Sequence, residues 1–152
     1  MKRKPIVHVV SQDKFPKHAR KIKGLQGCQV GQHVYIRKEA RDAEAIKHHE
    51  LYHVKKCHPL NPRKANDYIS QEIEANLYAR EKTGQHKHIK YRIIGIATSA
   101  SEDYKMPIKK TVRMVAKEMK RNNVPREWKD DFNHVVKTQL YKGKRLPKDV
   151  QL

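Results

Sequence analysis

The sequence predicts an α+β fold: a short sheet, a helix carrying H-E-x-x-H, a second helix bearing glutamates, and basic helices after them. Three observations predict it. Ile6-Val7-His8-Val9-Val10 and Val34-Tyr35-Ile36 are β-branched or aromatic runs of strand length. From Asp42 to Cys57 neither Gly nor Pro interrupts the chain, while Ala43, Ala45 and Ile46 supply helix-compatible apolar positions. Further on, Val112, Val115, Ala116 and Met119 lie three and four residues apart, with lysines and arginines on the opposite face.

The elements follow in order. Gly24 to Gly31 is punctuated by glycine and reads as turn. Asp42 is placed to cap the first helix, and Pro59 and Pro62 must stop it near Cys57 or His58. The second helix begins near Asn66 or Asp67 and runs to about Lys82, with Gly84 as its stop. Tyr91 to Ala97 fits a strand or the start of a helix, and Ser99 to Asp103 a turn. Lys109 to Asn122 and Arg126 to Tyr141 read as amphipathic helices, the latter with Trp128, Phe132, Val135, Val136 and Leu140. The tail from Lys142 reads as basic and mobile. The expected organisation is a core over residues 1–84 and a basic, mainly helical segment over residues 85–152 packed on it.

Composition excludes some functions. No apolar run approaches the roughly 18 residues of a spanning helix, so no membrane role is expected. Lys and Arg number 35 against 16 Asp and Glu, giving +19, and such a charge favours a polyanion, either nucleic acid or acidic protein. Cys28 and Cys57 are far apart and form no C-x-x-C, so no disulfide framework is expected. With no export signal visible, the expected setting is the reduced cytoplasm. The small size and lysine content fit a phage or mobile-element protein.

The chemistry sits in His48-His49-Glu50-Leu51-Tyr52-His53. His49 and His53 are four apart, so both imidazoles leave one helix face and can share a zinc ion. Glu50 follows the first of them, placed to act on water as a general base rather than on the metal. A catalytic zinc needs a third protein ligand and one open position. Glu72 and Glu74 are the candidates, about twenty residues on. Ile69, Glu72, Ile73, Asn76 and Ala79 form one stripe at helical spacing, which favours Glu72 and places Asn76 one turn on, where it could orient a ligand histidine. Structural zinc sites are Cys-rich and four-coordinated by protein, and neither holds here.

Together, H-E-L-Y-H and the downstream E-I-E-A-N-L-Y-A resemble the zincin domain of the ImmA/IrrE-type metallopeptidases, gluzincin-like proteins. The resemblance spans roughly Val34 to Lys82. It implies zinc held by His49, His53 and Glu72, Glu50 as catalytic base, and hydrolysis of peptide bonds in an intracellular protein target. It also implies that Val34-Tyr35-Ile36 is the sheet edge beside the substrate. Two places depart from the family pattern: Tyr52 stands where a small residue is usual, and Arg80 to Gly84 replaces the usual continuation. An oxyanion donor is still needed, for which Tyr91, Tyr104, His86 and His88 are candidates.

The remaining reactive residues have plainer readings. His48 faces away from the motif. His58 lies five residues past His53, whereas the extended zincin pattern wants its third histidine six beyond the second, where Pro59 stands, so His58 is set aside as a ligand. Cys57 reads as a small buried thiol. The alternative function is a zincin scaffold without catalysis, binding nucleic acid or serving a virion-associated role. The Asn122-Asn123-Val124-Pro125 turn between two basic helices, loosely like a helix-turn-helix, motivates it.

Overall fold

Both β-branched runs form strands, and a third strand joins them. The computed structural model describes residues 4–59, 61–84 and 89–152, with the backbone alone for residues 89–92. It is α+β, with one three-stranded sheet and five α-helices among the described residues. The chain divides into two compact units, residues 1–61 with 78–85, and residues 62–77 with 86–152.

In the first unit, β1 (Ile6–Val10), β2 (Gly27–Val30) and β3 (His33–Arg37) lie in the order β1-β3-β2. β1 runs parallel to β3, with Val7 opposite Val34, and β2 runs antiparallel to β3, with Gly27 opposite Ile36. The Gly-punctuated stretch is therefore not all turn. Gly31, at φ +58°, makes the reversal, while Gly27 to Val30 pair as strand. This corrects the expectation for Val34-Tyr35-Ile36 as well: β3 is central, and the edges are β1 and β2.

Helix α1 (Ala43–Lys56) follows, with Asp42 as its N-cap residue. Ile46 packs against Val34 and Ile36 of β3 in a small core, with Leu51 and Val54 partly buried around it. Gly27 makes this packing possible. A Cβ there would lie 2.4 Å from Ile46 Cγ2 and 3.1 Å from the Tyr35 carbonyl oxygen. The second neighbour is ladder backbone and cannot swing aside. Gly27→Ala should therefore destabilise the protein by about 1–3 kcal/mol, read as a lower urea midpoint at unchanged slope.

The second unit takes the first part of α2 (Ala65–Thr83), then α3 (Ile89–Asp103), α4 (Ile108–Arg121) and α5 (Arg126–Gln139). Its core joins Ile69, Ile73, Ile93, Ala97, Ala100, Val112, Val115, Met119, Trp128, Phe132 and Val136. Residues 91–97 are helical, and Ser99 to Asp103 continues that helix instead of turning. Small side chains explain this: Ala97 and Ala100 are fully buried, and the Thr111 hydroxyl donates to the Ala97 carbonyl at 2.9 Å. The tail is likewise docked rather than loose. Leu146 and Val150 are buried in the same core, and the Asn133 amide bonds both the N–H and the C=O of Leu152.

Candidate metal centre

The first-helix histidines are positioned by amphipathicity. Ala45, Ile46, His49 and His53 make the buried face of α1, so the imidazoles sit where a helix normally puts aliphatic side chains. They are 6% and 7% exposed. Their Nε2 atoms face one another at 3.1 Å, with the rings inclined at 70°. A tetrahedral zinc with Zn–N of 2.0–2.1 Å would set two ligand nitrogens about 3.3 Å apart, so the pair is spaced as such a donor set requires.

Glu72 completes the set. One ligand atom from each of His49, His53 and Glu72 lies within 4.8 Å of the others, close enough to hold a metal ion. Glu74 is directed elsewhere: it accepts from the Ser70 hydroxyl at 3.3 Å and lies 3.9 Å from the Arg121 guanidinium. Asn76 is buried one turn beyond Glu72. Tyr68, one turn before Glu72, was not singled out by sequence. Burial and the Glu72 carboxylate push its phenol well above the usual range, and it is hydrogen bonded to Ser99.

Glu50 is half-buried on the β2 side of α1. Its Cγ would lie 3.8 Å from a Cβ on Gly27. Its charge also reaches Cys28. Burial, and then the Glu50 carboxylate, raise that thiol to about 11.

The other histidines and the cysteines have distinct places. His48 stands 3.9 Å from Glu44 and edge-on to the Tyr78 ring. Burial and the nearby Lys47 and Lys82 charges lower its pKa, against a partial opposing pull from Glu44. Cys57 is not the buried thiol expected. It is exposed and caps α1 in the left-handed conformation, φ 55° and ψ 39°. Both thiols are free. His58, set aside as a ligand by the sequence, lies against His53 with their Nδ1 atoms 2.9 Å apart. A cavity of about 820 Å³ opens in the same unit, with Leu51, Val54, Lys55, His58 and Tyr78 in its wall.

Among the oxyanion candidates, Tyr104 is committed: its hydroxyl donates to the Pro62 carbonyl at 2.5 Å. His86 and His88 lie outside the described residues, as does the side chain of Tyr91. No helix among the described residues is long and apolar enough to cross a membrane. No family model, curated protein or solved structure matches the chain. The functional reading therefore rests on the side chains themselves.

Proposed function

We propose that the chain is a zinc-dependent peptidase in which His49, His53 and Glu72 hold the metal and Glu50 is the general base. The observation that carries this is the convergence of two imidazoles and one carboxylate within 4.8 Å, with Glu50 next to the first histidine. Two nitrogens and one oxygen from three side chains are the donor set of hydrolytic zinc, as distinct from the four ligands of a structural site. The likeness of H-E-L-Y-H and E-I-E-A-N-L-Y-A to ImmA/IrrE-type domains points the same way.

Zinc bound there would supply Lewis acidity toward a carbonyl oxygen and toward water. Glu50 takes the proton of the attacking water as its oxygen bonds to the scissile carbon, then gives it to the departing amine as the C–N bond breaks. Asn76 would steady a ligand side chain from one turn away. The β2 edge runs beside Glu50, so an extended peptide adding to that edge would pass the base.

The test is zinc stoichiometry and affinity. Dialysed protein should bind about one zinc per chain. Glu72→Ala should weaken binding by at least tenfold, whereas Glu74→Ala should leave it unchanged. Loss with Glu74→Ala alone would reassign the third ligand, and no zinc uptake would end the enzyme reading.

A second reading has one observation behind it. α4 exposes Lys110, Arg113, Lys117 and Arg121 at three-and-four spacing, a basic stripe suited to phosphates. Arg113 and Arg121 are partly satisfied by Asp149 and Glu118. A chain that cleaves no peptide but binds DNA with a steep salt dependence would favour this role.

A further inference from the structure

The end of α1 returns a side chain to the metal centre. Cys57 takes the left-handed conformation, and the His58 N–H then bonds the His53 carbonyl at 3.0 Å. That is the six-to-one closure of a Schellman turn. It folds His58 back along the helix and sets its Nδ1 2.9 Å from Nδ1 of His53. The Tyr52 ring meets the His58 ring edge-on, with centroids 5.7 Å apart.

Between two facing ring nitrogens only one can carry the shared proton. Suppose His58 donates. Then neutral His53 carries its own proton on Nε2, the atom that faces His49, and cannot ligate a metal there. Suppose instead that His53 donates. Its Nε2 then keeps a lone pair directed at the centre.

We propose that His58 is a positioning residue for His53: it accepts the His53 Nδ1–H at its own Nδ1, fixing the tautomer and ring plane that leave His53 Nε2 ready for metal. This rests on the reading of His53 as a ligand. Ligand histidines generally pass that proton to a carboxylate, a carbonyl or water, and here a third imidazole takes the part. Before metal arrives the direction extends one step further. With Nε2 of His53 accepting, the facing Nε2 of His49, 3.1 Å away, carries a proton that it gives up when metal binds, so the three rings form a chain of donors running from His49 to His58. The device depends on a backbone turn, since without the left-handed residue at Cys57 the helix would carry His58 onward to another face.

The experiment measures zinc affinity by chelator competition at pH 8 on the full chain and three variants. His58→Ala should weaken binding tenfold to a hundredfold. His58→Asn, whose amide oxygen can occupy the Nδ1 position, should recover most of the loss, and His58→Leu should not. Unchanged affinity in His58→Ala overturns the proposal, as does an equal loss in all three variants. A readout free of substitution is the long-range proton–nitrogen spectrum of the metal-free native chain. It should show the His53 proton on Nδ1, and a proton on Nε2 overturns the proposal even if a variant fails to fold. A native chain that takes up no zinc removes the ligand reading itself, which is distinct from native binding with an indifferent His58→Ala.

Discussion

Glu50→Gln should keep zinc bound and lose peptide hydrolysis by about 10²–10⁴-fold, measured as single-turnover cleavage of a peptide mixture. The substitution keeps shape and removes only the capacity to take a proton. Retained metal is expected because Glu50 is not one of the three grouped ligands. A second signal comes without any substrate. The Glu50 charge is one of two causes that raise the Cys28 thiol, the larger being burial. Neutralising it should move the Cys28 ionisation down from about 11, though not back to the ordinary value, because the burial remains. Alkylation rate against pH, with exposed Cys57 as internal reference, reads this directly. Hydrolysis that survives with the thiol shifted would show that Glu50 faces β2 as described but is not the base.

Trp128→Ala should cost about 3–5 kcal/mol, enough to unfold much of the second unit at moderate urea. Trp128 is 1% exposed and sits in the same core as Met119, Phe132 and Val136. Its indole N–H is buried and meets no acceptor among the described residues. Trp128→Phe therefore removes an unsatisfied donor along with some volume, and the two effects oppose. The Phe variant should lose about 1 kcal/mol or less. If Phe proved as damaging as Ala, indole volume rather than aromatic filling would be what holds this core. Urea midpoints of the two variants decide the matter.

How far the sequence reached depended on whether a feature is local. α1, with its start at Asp42 and its end before the prolines, was legible because capping and Pro act within a few residues. α4 and α5 were legible for their three-and-four spacing: Val112, Val115, Ala116, Met119, Trp128, Phe132 and Val136 are buried as that spacing selects, while Thr111 is buried as well and Val135 and Leu140 are only half-buried. The preference for Glu72 over Glu74 came from the same arithmetic: Ile69, Ile73, Asn76 and Ala79 of that stripe are all buried. β2 was missed because four residues beginning in Gly carry little strand signal, and pairing with β3 is a tertiary event. Ser99 to Asp103 looked like turn for its composition, yet buried alanines and the Thr111 hydroxyl keep it helical. Leu146 and Val150 were hidden among lysines, so the tail's docking was invisible. The contact of His58 with His53 was least readable, since a non-glycine residue at positive φ leaves almost no trace in sequence.

β1 forms one margin of the sheet, and Ile6, Val7 and Val9 on it are 43%, 38% and 58% exposed. A margin of that kind adheres to another of its own sort once two molecules come near enough. Mutual repulsion at +19 holds them off, over a reach of about 10 Å in 0.1 M salt but only about 3 Å in 1 M. Colloidal behaviour is therefore the reverse of what a lysine-rich surface suggests: concentrated brine removes the restraint, and dilute buffer is where the molecules stay apart.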